Sequence, residues 1–202
     1  GSGKSSLAKL LLRLSDPTIG KVTLGGIPLT QMTQEQIRSH ISYVPQKAFL
    51  FSGTILSNLQ MGNEYASTEE LSKAIKIAQL EELVDTLPDG LDSFVAQGGS
   101  NYSGGQKQRI CIARALIKPA EIYVFDDSFS ALDYKTDAAL RAALHKHMSE
   151  KTLVIVAQRL STIQQADNII VLDEGKIVGQ GTHEELLSNC QTYQEFAKSQ
   201  GI

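Results

Sequence analysis

Ile122-Tyr123-Val124-Phe125-Asp126 is four apolar residues closed by a carboxylate. A run that is apolar throughout, rather than alternating, predicts a strand buried on both faces of a parallel sheet. A carboxylate at the C-terminal end of such a strand faces the crevice where open α/β sheets bind ligands. Upstream, Ser103-Gly104-Gly105 precedes a predicted helix from Gln106 to about Ile117. Downstream, Thr136 to Met148 reads as a helix and Thr152 to Ala157 as a second buried strand. Further out, a helix over Thr33 to His40 leads into a strand, Ile41-Ser42-Tyr43-Val44, stopped by Pro45. Strands alternating with helices predict an α/β fold with a largely parallel sheet flanked by helices.

The rest of the chain fits around that frame. Lys21 to Leu24 reads as a short strand before a Gly25-Gly26 turn. Leu71, Ala74, Ile75, Ala78, Leu80 and Leu83 give Thr68 to Asp85 helical periodicity. The stretch from about residue 58 to residue 119 is mostly helical and is expected to form a subdomain inserted into the single 1–202 domain. Asp173-Glu174-Gly175 joins two strand-like runs, Asn168 to Leu172 and Lys176 to Gln180, as a hairpin. Thr182 to Ser188 and Tyr193 to Ser199 read as short helices, the first opened by a Thr182–Glu185 capping box.

Composition narrows the function classes. The 202 residues are 42% hydrophobic and 20% charged, which excludes a disordered chain. The formal net charge of -3 argues against a basic nucleic-acid-binding surface. Cys111 and Cys190 are the only cysteines, so neither a disulfide framework nor a zinc site is indicated, and two thiols fit a reducing compartment. No apolar run approaches the roughly 18–20 residues of a membrane span.

The chain opens Gly1-Ser2-Gly3-Lys4-Ser5-Ser6-Leu7. Gly3-Lys4-Ser5 is the ending of a P-loop, G-x-x-x-x-G-K-[ST], whose first glycine would lie upstream of Gly1. The expectation is therefore that the native N-terminus precedes residue 1. Glycines let backbone N–H groups close around phosphate oxygens. In this motif Lys4 would carry its charge to the β- and γ-phosphates, and the Ser5 hydroxyl would reach Mg²⁺. Leu7, Leu10, Leu11 and Leu14 make the next segment a helix whose N-terminus points at those phosphates. Asp126 then sits where a carboxylate could hold Mg²⁺, directly or through water. The fold expected is a P-loop NTPase.

A more specific pattern lies between these two sites. Asn101-Tyr102-Ser103-Gly104-Gly105-Gln106-Lys107-Gln108-Arg109 resembles the L-S-G-G-Q signature of ATP-binding cassette (ABC) ATPases, and the resemblance runs to about residue 200. Gln46 after Val44-Pro45 matches the family's Q-loop, and Ser130-Ala131-Leu132-Asp133 its D-loop. The resemblance implies ATP and Mg²⁺ as cofactors. It places Gly1, Ser2, Gly3, Lys4, Ser5, Ser6 and Gln46 at the phosphates, with Ser5, Gln46 and Asp126 at the metal. It implies that Ser103, Gly104, Gly105 and Gln106 serve the ATP of a second, head-to-tail domain, with Asp133 in the D-loop beside it. Ser103 is also a good N-cap in its own right.

The segment Phe49-Leu50-Phe51-Ser52-Gly53-Thr54-Ile55 resembles the L-F-x-G-T-I of exporter-type cassettes, where helices of the membrane domain dock. Exposed aromatic and aliphatic residues beside a mobile loop are physically suited to that. Gln97, with Gly98 and Gly99, stands where exporters usually carry Glu.

Two positions depart from the family in the reacting site. Asp127 follows Asp126 where the family places the Glu that activates water. Asp is shorter by about 1.5 Å, and a general base must come within roughly 2.6–3.2 Å of its proton. Gln158, in Ala157-Gln158-Arg159-Leu160-Ser161-Thr162, stands in place of the switch His of H-R-L-S-T. An amide can donate a hydrogen bond but cannot carry an imidazolium charge. Both changes together point to a site that binds ATP and hydrolyses it slowly, similar to the degenerate half of bacterial heterodimeric multidrug exporters. On that resemblance the chain lies at the cytoplasmic face of the cell membrane, with membrane helices upstream and no nucleic-acid partner. The alternatives are a slow but active homodimeric exporter ATPase and the ATPase subunit of an importer. A soluble ABC ATPase of DNA repair or translation lacks support, since no long coiled-coil or basic insertion is present.

Overall fold

The computed structural model describes residues 2–202. The chain begins with α1 (Lys4–Leu11), a small hairpin of β1 (Thr23–Leu24) and β2 (Ile27–Pro28), then α2 (Gln34–His40) and β3 (Ile41–Val44). A second small ladder pairs β4 (Gly53–Thr54) with β5 (Phe94–Val95), enclosing α3 (Ile55–Gln60), α4 (Thr68–Ile77) and α5 (Glu81–Thr86). Then come α6 (Gly104–Ile117), β6 (Ile122–Asp126), α7 (Tyr134–His147), β7 (Thr152–Val156) and α8 (Leu160–Ile163). The chain closes with the hairpin of β8 (Ile169–Asp173) and β9 (Lys176–Gly181), α9 (His183–Asn189) and α10 (Gln191–Ser199).

The parallel part of the sheet is three strands in the order β3-β6-β7, with the predicted apolar run at its centre. Val44 pairs with Phe125, and Phe125 with Ile155, so all three strands end at one rim. Successive side chains of a strand point to opposite faces. Tyr123 and Phe125 accordingly enter the larger core with α6 and α7, while Val124 enters a separate core with Ala8, Leu12, Ile37 and Ile41. A third cluster, Leu160, Ile169, Leu186, Cys190, Tyr193 and Ala197, ties α8 and the hairpin to the C-terminal helices.

Several boundaries differ from the sequence reading, each for a local reason. Helical structure begins at Ile55 rather than near residue 58, because Thr54 and Ser57 form a capping box. The predicted helix over Thr68 to Asp85 is two helices. Gln79 adopts φ 57, and its carbonyl accepts from the Arg109 guanidinium of α6. The guanidinium binds the carbonyl freed by the break, which periodicity alone could not reveal. Helix α7 begins at Tyr134 because Asp133 caps it, accepting from the Thr136 N–H at 2.9 Å. The strand expected over Lys21 to Leu24 pairs only at Thr23 and Leu24. The capping box of Thr182 with Glu185 is present as read.

Candidate functional site

Three loops leave the common rim of β3, β6 and β7, and α1 opens against them. Gly3, at φ 93, turns the chain into α1, a conformation in the left-handed region that glycine adopts freely. No side chain caps that helix among the described residues. Its first N–H groups have no intrahelical acceptors and point outward, as in an anion-binding helix terminus. Lys4 Nζ donates to Ser2 Oγ at 3.0 Å. Ser2, Gly3, Lys4, Ser5, Ser6, Gln46, Asp127, Val156 and Gln158 line one open cavity of about 340 Å³. This gathers most of the residues read as phosphate-binding, from segments far apart in sequence; Gly1 lies outside the described residues.

The two consecutive carboxylates face different neighbours. Asp126, 2% exposed, accepts the Ser5 hydroxyl on Oδ1 at 2.8 Å and the Tyr43 hydroxyl on Oδ2 at 2.8 Å. The Ser5 and Asp126 oxygens are hard donors of the kind Mg²⁺ takes. Among the described residues no group of three or more His, Cys, Asp and Glu could hold a metal by itself. A magnesium ion here would therefore rest on Ser5, Asp126 and phosphate oxygens, which fits the oxygen donors gathered here. Tyr43 was not anticipated from sequence. The sequence places it only within a strand, and the pairing of Tyr43 beside Val124 reveals its reach. Burial, and then the bond to Asp126, push its phenol well above the ordinary range.

Asp127, 6% exposed, leaves the strand with φ 50. Asp tolerates this left-handed region better than most residues. Its N–H still donates to Val156 O at 2.9 Å, while its side chain turns to the cavity. Asp127 Oδ2 accepts from Gln158 Nε2 at 2.8 Å and from Gln46 Nε2 at 3.0 Å. Gln46 therefore sits against Asp127, and the Ser5–Asp126 pair is not its hydrogen-bond partner. The next residue, Ser128, is fully buried and donates to Val44 O at 3.0 Å, which fixes the turn.

The signature segment stands apart from this cavity's lining. Ser103 caps α6 by accepting from the Gln106 N–H at 3.2 Å, while Gln106 Oε1 accepts from the Ser103 N–H at 2.9 Å. A side chain at Gly104 would meet open space, whereas a Cβ at Gly105 would lie 3.3 Å from Ala131 O. The signature helix is thus packed against the D-loop. Asp133 of that loop is a helix cap, and the N–H and hydroxyl of Thr136 hold its carboxyl below the usual range.

The segment read as a docking run divides in two. Leu50 and Ile55 are fully buried in the core, while Phe49 and Phe51 are about half exposed and meet edge to face at 5.1 Å. Of the segment's large apolar side chains only the two rings are on the surface, a correction to a continuous apolar run. Asn58, fully buried, holds the loop: its Oδ1 accepts from the Phe51 N–H, and its Nδ2 donates to the Phe51 and Thr54 carbonyls. Phe51 borders a groove of about 320 Å³ that also reaches Arg38, Arg114 and Lys118.

The strand-rim carboxylates, the lysine-bearing helix start and the capped Ser-Gly-Gly turn together define a P-loop nucleotide-binding α/β domain. The chain belongs to the ABC transporter family, whose family model matches residues 1–130. It is 49% identical over 205 residues to an uncharacterized ABC transporter ATP-binding protein of Mycobacterium tuberculosis, covering 100% of this chain and 35% of that protein. It is 44% identical over 200 residues to an ATP-dependent lipid A-core flippase of Legionella pneumophila, covering 99% of this chain and 34% of that one. A solved bacterial Atm1-family ABC exporter with ATP bound is similar at a TM-score of 0.95 and 38% identity, covering 99% of this chain and 35% of its own. The chain thus spans about a third of the length of these relatives. Among the described residues no helix is long and apolar enough to cross a membrane.

Proposed function

We propose that this chain is the ATP-binding domain of an ABC exporter, 1–202, with a helical subdomain over about 58–119. Its own phosphate site holds ATP long and hydrolyses it slowly. Its signature segment completes the site of a second, non-identical ABC domain. One observation carries the reading: where the family places a Glu and a His, this site has a shorter carboxylate whose Oδ2 accepts from two neutral amides, Gln46 and Gln158. None of the four histidines, His40, His145, His147 and His183, lines the cavity.

The chemistry follows from the residues. Lys4 and the open N–H groups of α1 bind and orient the phosphates. Ser5 and Asp126 would hold magnesium, which would neutralise phosphate charge. Asp126 is itself oriented by Tyr43. Gln158 donates a hydrogen bond near the γ-phosphate position but carries no charge to stabilise the transition state. Asp127, short and doubly hydrogen-bonded, is a poor base for water. Binding therefore outlasts chemistry at this site. Ser103 and the N–H groups after it offer a second phosphate cradle, turned to the partner domain.

The half-exposed Phe49 and Phe51 are the contact for membrane-domain helices, and the chain acts at the cytoplasmic face of the membrane. The flippase relatives make an amphipathic lipid one class of cargo to test. Cargo would touch the membrane domain and not this one.

The test is ATP turnover by the complete protein, alone and mixed with its partner domain. Negligible turnover alone with recovery on pairing supports the reading. Equal turnover alone overturns it in favour of an active homodimer.

A further inference from the structure

Gln200, just past the end of α10, binds both sides of Arg159. Its Nε2 donates to Gln158 O at 2.9 Å, and its Oε1 accepts from the Leu160 N–H at 2.9 Å. One side-chain amide thus pairs with the backbone of the segment that carries Gln158, as a neighbouring strand would.

The hook is anchored on its own side. Gly201, at φ 75, ends the helix, and the Ile202 N–H returns to Ala197 O at 3.0 Å. This reversal is the kind that closes helix C-termini around a left-handed glycine. Tyr193 and Ala197 of α10 are buried against Leu160, so the same segment is held by apolar packing and by the amide pair. On the other side of the segment, Arg159 donates to Ser130 O at 3.3 Å and Leu132 O at 3.2 Å in the D-loop. Gln158 itself reaches Asp127. The residues 158–160 are therefore a short bridge with three fixed ends: α10, the D-loop and the Asp127 carboxylate.

We propose that Gln200 is a positioning residue for nucleotide discrimination. By fixing the backbone at residues 158–160, it sets where the Gln158 amide stands and so how well the site tells ATP from ADP. The inference rests on the proposed place of Gln158 near the γ-phosphate. It makes α10 an element that adjusts the phosphate site without touching nucleotide. Two hydrogen bonds to a partly exposed segment are each of modest strength, so the effect is a tuning one.

The experiment measures Mg–ATP and Mg–ADP affinities of the complete transporter, each competing against a fluorescent ATP analogue. Gln200→Leu removes both bonds at similar size. It should lower the preference for ATP over ADP about fivefold and leave ADP affinity unchanged. Gln200→Glu keeps the acceptor for the Leu160 N–H and should lose less. In a Gln158→Ala background, Gln200→Leu should have no further effect. An unchanged preference in Gln200→Leu, or an equal loss with and without Gln158, overturns the proposal. Hydrogen exchange over residues 156–163 separates the two levels of the argument. Faster exchange in Gln200→Leu with an ATP preference that Gln158→Ala also leaves untouched means the placement of Gln158 is wrong. Unchanged exchange means that the Gln200 tie itself is wrong.

Discussion

The Gln158 carboxamide donates to Asp127 Oδ2 at 2.8 Å, joining the loop after β7 to the loop after β6 through one neutral hydrogen bond. A general base contributes typically about 10²–10⁴-fold to rate. If Asp127 supplies none of that, Asp127→Asn should change ATP turnover of the assembled transporter by less than about threefold. In this chain without its partner, the pair Asp127→Glu and Gln158→His should raise turnover at least about tenfold, since it restores a longer carboxylate and a chargeable ring. Loss of turnover in Asp127→Asn would show that Asp127 reaches water after all.

Tyr43 holds Asp126 Oδ2 while Ser5 meets Oδ1. Partners that orient a metal-binding carboxylate typically matter about 10–100-fold in affinity. Tyr43→Phe should raise the Mg²⁺ concentration needed for half-maximal ATP binding about tenfold, with the fold intact by circular dichroism. An unchanged magnesium titration would leave Tyr43 a packing residue only.

Asp137 of α7 is fully buried and bonds to Arg141 at 3.1 Å, with Thr162 of α8 at 3.4 Å. Removing one member of a buried ion pair strands the other charge, at a cost of about 3–5 kcal/mol. Arg141→Leu should therefore lower the unfolding free energy by about that amount in urea titrations. Replacing both residues by leucine should recover most of the loss.

Burial raises the Cys111 thiol and the Tyr102, Tyr123 and Tyr193 phenols, and Tyr43 rises with them. Each group holds its proton more tightly folded than unfolded. Above the ordinary thiol and phenol ranges the unfolded chain has released protons that the folded chain keeps, so stability falls as pH rises. Lys118, lowered by burial and by Arg38, acts in the opposite sense. Thermal midpoints should decline from about pH 8.5 through about pH 10.5. A flat profile would place these groups in water.

The parallel strands and the capped helices were legible because they rest on local signals, as was the P-loop ending. Ile122 to Phe125 is apolar at every position, Thr182 and Glu185 have cap spacing, and Gly3-Lys4-Ser5 is a motif. Contacts across space were not. Tyr43 reaches Asp126 only because β3 lies parallel beside β6 in one register. The helix break at Gln79 goes with a guanidinium from a helix thirty residues on, at Arg109. Gln46 is placed in the loop by its motif, but the meeting of its amide with Asp127 depends on side-chain reach rather than on sequence position. Leu50 and Ile55 looked exposed beside Phe49 and Phe51 because alternating exposure in an irregular loop has no fixed period.

The in-register row Val44, Phe125 and Ile155 also acts as a ruler. Counted from it, Gln46 and Asp127 lie two residues on and Gln158 three. Convergence of the three side chains is a matter of short, fixed overhangs. Substitutions inside the strands that keep size and apolarity should be absorbed, because they leave the count alone. A single inserted or deleted residue between the row and any of the three would throw one member out of reach while leaving the core intact. The site is thus far more tolerant of spelling changes than of changes in length.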